Sequence, residues 1–172
     1  MRELLLLRHA KSAWDVPGLE DHARDLAPRG RKAAKKIGRL LAREGLLPDL
    51  VLCSTAVRAV RTLELVQAEL PRPLEVRHLD ELYLASEEAM LKLVRAQDDG
   101  IRSLMLVGHD PGFHRLALLL VGAQAPAAVR TGLVQKFPTG ALARLRFPVE
   151  HWAEVGPGGA ELLAFWKPRE LD

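Results

Sequence analysis

The chain has 172 residues, 48% of them hydrophobic, and a formal net charge of +3. This size and apolar content fit one globular domain with a full core, so we predict a single domain over residues 1–172. No apolar stretch approaches the roughly 20 residues of a membrane span, and a signal-peptide pattern is absent, so we expect a cytoplasmic protein. The one cysteine, Cys53, excludes an intramolecular disulfide and a cysteine-rich metal site.

Apolar runs alternate with segments of helical periodicity along the first two thirds of the chain. In chain order we predict a strand over 3–7, a helix near 30–44, a strand over 50–53, a helix near 56–69, a strand over 75–79, a helix near 86–96, a strand over 101–107 and a helix near 112–120. Ser54 or Thr55 is expected to cap the second helix. This alternation is typical of a mainly parallel sheet covered by helices on both faces.

The last third of the chain has a different pattern. Residues 142–147 alternate apolar and polar side chains, 161–166 form another strand candidate, and the glycine-rich segment 156–159 predicts a turn between them. We therefore predict an α/β fold, a three-layer αβα sandwich with a mainly parallel sheet and a carboxyl-terminal antiparallel hairpin. The glycine-rich segment precedes a strand and lacks a Lys-Ser/Thr signature, which disfavours nucleotide binding.

Functional side chains follow three of the predicted strands. Arg8 and His9 come directly after the first apolar run, His109 follows the run that ends at Val107, and Arg58 begins the helix after the second strand. Functional groups of α/β sheets gather at the carboxyl ends of parallel strands. An arginine there can hold a phosphoryl group while an imidazole attacks it, so the pattern indicates phosphoryl chemistry on histidine.

The segments that carry these residues resemble the histidine phosphatase superfamily, whose fold is phosphoglycerate mutase-like. They are Arg8-His9-Ala10, Ser54-Thr55-Ala56-Val57-Arg58-Ala59-Val60-Arg61-Thr62 and Val107-Gly108-His109. Lys11-Ser12-Ala13-Trp14, Asp21-His22-Ala23-Arg24-Asp25-Leu26 and Gly30 resemble the SixA-type phosphohistidine phosphatases in particular. The resemblance runs from Leu4 to about Gly112. Asp25 stands where that branch commonly has proline, which leaves the conformation of its loop open.

The resemblance implies a role for each central residue. His9 is expected to be the nucleophile and to form a covalent phosphohistidine that water hydrolyses. A backbone carbonyl that accepts from its Nδ1–H would leave Nε2 free to attack. Arg8, Arg58 and His109 are expected to bind the phosphoryl oxygens, since catalysis of phosphoryl transfer is chiefly positioning and preorganised positive charge. No metal or other cofactor is implied.

Further side chains near these motifs are candidates for substrate contact. Lys11 and Ser12 follow the nucleophile closely and are expected to meet a phosphate oxygen or the leaving group. The sequence leaves the roles of Arg24 and Arg61 open.

Two acids compete for the role of proton donor to the leaving group. Glu81 is the best match to the carboxylic acid that follows the third strand in the broader family, and Asp80 is its alternative.

Cys53 raises a rival class, the cysteine-dependent phosphatases. Their signature places five residues between the cysteine and the arginine, whereas four separate Cys53 from Arg58, so a buried strand cysteine is the better interpretation.

The expected substrate is phosphohistidine in a protein such as a phosphotransfer domain, because little chain separates the catalytic segments and the pocket should be open. A small-molecule phosphomonoesterase and a non-catalytic phosphate-binding regulatory module remain alternatives.

The net charge of +3 is too small to indicate a nucleic-acid-binding protein, and no membrane partner is expected. The basic segment 29–36 fits a solvated helix face, with a docking surface for an acidic protein as the alternative.

Overall fold

The chain folds around one six-stranded sheet in the computed structural model, which describes residues 1–122 and 125–171. Its strands are β1 (Arg2–Arg8), β2 (Leu50–Ser54), β3 (Val76–Leu79), β4 (Ser103–Gly108), β5 (Leu142–Phe147) and β6 (Glu161–Trp166). They lie in the order β3-β2-β4-β1-β5-β6. The first four strands are parallel, whereas β5 pairs antiparallel with β1 and β6 with β5. The predicted mainly parallel sheet with a carboxyl-terminal antiparallel hairpin is confirmed.

Helices cover both faces of the sheet, as predicted for a three-layer sandwich. They are α1 (Pro28–Glu44), α2 (Val57–Gln67), α3 (Glu87–Arg95), α4 (Gly112–Leu120) and α5 (Ala127–Gln135). Buried side chains of α1 and α2 belong to one hydrophobic cluster, and those of α3, α4 and α5 belong to another on the opposite face. Within the described ranges, no helix is both long and apolar enough to cross a membrane.

The central strand β1 shows how the sequence produces these layers. Its residues Leu4, Leu5, Leu6 and Leu7 are all fully buried. Successive strand side chains point to opposite faces, so Leu4 and Leu6 pack under α3 and α4 while Leu5 and Leu7 pack under α1 and α2. A strand covered on both faces has no polar side, which explains the uninterrupted run of leucines.

Helix α5 was not predicted from the sequence. Val129, Thr131 and Gly132 are poor helix formers and obscure the pattern. The helix is held by packing instead, because its Leu133 is fully buried in the hydrophobic cluster of α3 and α4. The hairpin connection also differs from a simple turn, since it contains a 3₁₀ turn at Trp152–Glu154.

Close packing of α1 against the loop after β1 depends on one glycine. A Cβ atom at Gly30 would lie 2.1 Å from the Lys11 carbonyl oxygen, closer than two such atoms can approach. The same carbonyl accepts the Ala27 backbone N–H at 2.9 Å, just before α1 begins. Gly30 therefore lets α1 lie directly against the segment that carries Lys11 and Ser12.

Candidate active site

Two histidines lie side by side at the carboxyl edge of the sheet. His9 follows β1, and its backbone N–H donates to the Gly108 carbonyl at the end of β4, at 3.0 Å. His109 follows Gly108, and the centres of the two imidazole rings are 5.2 Å apart. Pairing of adjacent parallel strands therefore brings together two residues that are distant in sequence.

A cavity of about 290 Å³ opens at this edge of the sheet. Six residues predicted for the site line it together: Arg8, His9, Lys11, Ser12, Arg58 and His109. Five others complete the lining: Trp14, Arg24, Leu84, Asp110 and Thr139. We call this cavity the active-site cavity.

His9 is held as a neutral imidazole with one nitrogen available. Its Nδ1–H donates to the Ala10 carbonyl at 2.8 Å, which provides the predicted backbone acceptor. Its Nε2 therefore carries the lone pair and accepts from Arg58 Nε at 3.4 Å. Burial, reinforced by the charges of Arg58 and Arg8, lowers the pKa of His9 to about 4, although the bond to Ala10 acts in the opposite direction. The geometry leaves the lone pair of Nε2 facing an arginine.

We expect His9 to stay neutral well below the pH at which ordinary histidines become protonated. Its pKa of about 4 lies below the usual 6.5, so the unfolded chain binds more protons between these values. The free energy of unfolding should therefore fall as pH drops from 6.5 toward 4. NMR titration of the imidazole carbons measures the midpoint, with His9→Gln used to assign the resonance. A midpoint near 6.5 would contradict this prediction.

Arg58 is fixed by a carboxylate that the sequence analysis did not single out. The guanidinium is 3% exposed and donates to Asp21 twice, to Oδ2 at 2.9 Å and to the backbone carbonyl at 2.7 Å. The Tyr83 hydroxyl donates to the same Oδ2. Hydrogen bonds from Tyr83 and Arg58 hold the pKa of Asp21 well below its usual range. Asp21 therefore orients the arginine that faces His9 Nε2.

Thr62 connects the same arginine to the loop that carries His9 and Ala10. Its hydroxyl donates to the Arg58 carbonyl at 2.7 Å and accepts the Ala10 backbone N–H at 2.9 Å. One buried hydroxyl thus joins helix α2 to the residue that orients the His9 ring.

Arg24 gives the active-site cavity a third arginine. Its guanidinium donates to Ser12 Oγ at 2.7 Å and lies 3.5 Å from the centre of the Trp14 ring. Ser12 is buried and already accepts this hydrogen bond. The charge of Arg24 also lowers the pKa of His9, as do the charges of Arg58 and Arg8. The sequence had left the role of Arg24 open, and its position favours a contribution to the positive potential of the cavity.

His109 forms a hydrogen bond through one of its two ring nitrogens. Its Nε2 lies 2.8 Å from Ser54 Oγ, and that oxygen accepts the Ala56 backbone N–H at 3.2 Å. A hydroxyl that accepts from Ala56 can donate its own hydrogen to Nε2, which places the ring hydrogen on Nδ1. Burial, reinforced by the charge of Arg58, lowers the pKa of His109 to about 3, so the ring is neutral.

Two buried nitrogens at this site have no hydrogen-bond partner among the described residues. They are His109 Nδ1 and Arg8 Nε. Another nitrogen of Arg8, Nη1, donates to the Phe137 carbonyl at 2.8 Å. A buried donor without an acceptor costs about 1–3 kcal/mol. Both residues line the active-site cavity.

The predicted cap of α2 is wrong. The helix is preceded by Ala56 as its N-cap residue, and no side chain among the described residues caps it. Ser54 contacts His109 instead, and the Thr55 hydroxyl donates to Asp80 at 2.6 Å and contacts His22 at 2.9 Å. Both hydroxyls serve the surroundings of the site rather than the helix end.

Comparison with known proteins agrees with this geometry. Residues 4–109 match the model of the histidine phosphatase superfamily, branch 1. The chain belongs to this superfamily. It is 39% identical over 164 residues to the uncharacterized protein Rv1276c of Mycobacterium tuberculosis, which covers 95% of this chain and 100% of that protein.

Solved structures place this histidine phosphatase beside SixA-type proteins. A structure named as phosphohistidine phosphatase SixA from Agrobacterium tumefaciens has a TM-score of 0.82 and 33% identity, covering 97% of this chain and 98% of that one. Its counterpart from Nakamurella multipartitia has a TM-score of 0.81 and 31% identity, covering 97% and 96%. Family and neighbours together support a phosphatase of the SixA type.

Neither candidate acid lines the active-site cavity of this histidine phosphatase. Glu81 is exposed in the 3₁₀ turn after β3, and the exposed Asp80 accepts from Thr55. The geometry therefore gives no support to the predicted proton donation by Glu81. Arg61 also lies outside the cavity, where it pairs with Glu64 at 2.9 Å.

Cys53 is fully buried in β2. Burial raises the pKa of its thiol to about 12, which disfavours the thiolate that a cysteine-dependent phosphatase needs. This agrees with the structural role predicted from its spacing to Arg58.

Proposed function

We propose that this histidine phosphatase removes phosphate from phosphohistidine in proteins through a covalent intermediate on His9. The observation that carries the proposal is the state of His9: a buried neutral ring whose Nδ1–H is held by Ala10 and whose Nε2 faces Arg58. Such a nitrogen can attack phosphorus without first losing a proton.

The surrounding donors fit the charge that develops during the transfer. As the His9 Nε2–P bond forms and the bond to the leaving group breaks, negative charge spreads over three phosphoryl oxygens. In the part of the chain that the structure describes, Arg8 Nε and His109 Nδ1 are buried without hydrogen-bond partners, and Arg58 lies beside the nucleophile. Water then attacks phosphorus, the Nε2–P bond breaks and inorganic phosphate leaves. Lys11 and Ser12 are the proposed contacts to the outer oxygens or the leaving group.

The absence of a free acid in the described cavity lining favours phosphohistidine as substrate. Asp110 is the one carboxyl group among those residues, and its oxygens are engaged by Arg8 at 3.7 Å and by the His114 backbone N–H at 3.0 Å. An alkyl phosphate must expel an alkoxide, which needs a proton donor. A phosphorylated imidazole can take a proton from water, because histidine titrates near pH 6.5, and it then leaves as neutral imidazole.

We therefore expect the rate to depend steeply on the leaving group. A phosphohistidine peptide and an activated aryl phosphate should be hydrolysed, whereas serine phosphate and sugar phosphates should react at least about 100-fold more slowly, since no donor assists them. The measurement is release of inorganic phosphate across this panel, with Glu81→Gln as a matched variant that should behave like the wild type. Comparable hydrolysis of an alkyl phosphate, or loss of activity in Glu81→Gln, would favour the small-molecule phosphomonoesterase.

A further inference from the structure

A larger cavity, of about 860 Å³, adjoins the active-site cavity. One wall is the exposed side of α1, and the facing wall is formed by residues from segments 135–139 and 167–169. Lys11 and Thr139 line both cavities, so a ligand that occupies the larger one lies directly beside the reacting groups. We call the larger cavity the basic cleft.

The lining of the basic cleft is strongly positive. Besides Lys11, six cationic side chains line it: Arg29, Lys32, Lys36, Lys136, Lys167 and Arg169. None of its lining residues in the described part of the chain is acidic. Among the ion pairs of residues 1–122 and 125–171, only Lys167 of this set has a carboxylate partner, Glu170 at 3.7 Å.

Two other cations of α1 that do not line the cleft have carboxylate partners. Arg31 pairs with Asp25 at 3.1 Å and Arg39 with Glu69 at 3.7 Å. Lys32 and Lys36, by contrast, are four residues apart, a spacing at which like charges repel and destabilise a helix. An anionic occupant would offset this repulsion.

We propose that the basic cleft binds an acidic segment of the phosphorylated protein that the active site dephosphorylates. The inference rests on the proposed function for the identity of that protein. Apolar side chains of Ala33, Pro138 and Pro168 also line the cleft, which suits a polypeptide better than a free anion. The overall formal charge of only +3 argues against an extended nucleic-acid surface.

Binding of an unphosphorylated acidic peptide tests the cleft independently of catalysis. The probes are two fluorescein-labelled peptides of equal length around one histidine, flanked by Asp and Glu or by Asn and Gln. The protein variants are Lys32→Glu/Lys36→Glu and the control Lys35→Glu/Arg43→Glu, which makes the same change of charge on exposed positions of the same helix. We expect about tenfold weaker binding of the acidic peptide only in the first variant, and loss of the preference at high salt.

Turnover of the same peptides after chemical phosphorylation of the histidine links the cleft to the active site. The wild type and the control should prefer the acidic peptide by about tenfold in kcat/KM. The Lys32→Glu/Lys36→Glu variant should lose this preference but should hydrolyse an aryl phosphate at the wild-type rate. Equal binding of the acidic peptide by all three proteins would overturn the cleft proposal, as would tighter binding of an oligonucleotide of equal length. Peptide binding that depends on the cleft without any phosphohistidine turnover would overturn the proposed function alone.

Discussion

Replacement of His9 by alanine is expected to abolish both turnover and the acid-labile phosphoenzyme. His9 Nε2 is the nitrogen that accepts the phosphoryl group in the proposed mechanism, and the bond between Nδ1–H and Ala10 leaves it free for attack. Rapid-quench labelling with a phosphorylated substrate, followed by mapping of the labelled peptide, measures the intermediate. The rate of phosphate release should fall to that of the uncatalysed reaction.

His9→Gln serves as the matched control for packing, because it fills part of the same buried space without an imidazole. Both variants should retain the fold by circular dichroism and still bind vanadate, since the arginines remain. Label that persists in either variant, or label on His109 in the wild type, would reverse the assignment of the nucleophile. Vanadate binding without any label in the wild type would favour the non-catalytic module.

Replacement of His109 by alanine should slow the reaction by about 10²–10³ while leaving the labelled residue unchanged. The substitution removes a donor to the transferring oxygens, a loss comparable to deletion of one oxyanion-hole donor. The nucleophile and Arg58 stay in place, so His9 should still become phosphorylated. Single-turnover labelling separates the slower transfer from any change in substrate binding.

Ser54→Ala tests how His109 acts. This variant keeps the imidazole but removes the hydroxyl 2.8 Å from its Nε2, so the ring can exchange its tautomer. A fall of about tenfold or less is expected, in line with the loss of one hydrogen bond. A wild-type rate in His109→Ala would exclude the proposed contact to the phosphoryl group.

The fold was predictable because its signals are local. A run of four leucines in β1 indicates burial on both faces, and the alternation of apolar and polar side chains in 142–147 indicates a strand of the hairpin. The gathering of His9, Arg58 and His109 was also predictable, since strand ends of a parallel sheet share one edge. Helix α5 escaped prediction because packing around Leu133, rather than helix propensity, holds it.

The supports of the site were harder to find for a different reason. Asp21 contacts Arg58 and Tyr83, and these three residues lie on a 3₁₀ turn, a helix and the segment after β3. No periodic pattern connects such positions, and their proximity follows only from the assembled fold. The charged motif that begins at Asp21 was the one available sequence signal, and it indicated the family rather than the contact between Asp21 and Arg58.

The spacing of the two histidines limits which parts of such a protein can alter its substrate selectivity. His9 and His109 extend two paired strands, so the backbone gap between the proposed nucleophile and the proposed oxyanion donor is set by the separation of neighbouring strands, about 4.8 Å in any sheet. That backbone gap cannot widen without breaking the hydrogen bonds of the sheet. Selectivity must then reside in what surrounds the edge, the loop after β1 and the walls formed by α1 and segment 135–139. Exchange of these parts between relatives should redirect the enzyme to new phosphorylated partners while the transfer chemistry stays intact.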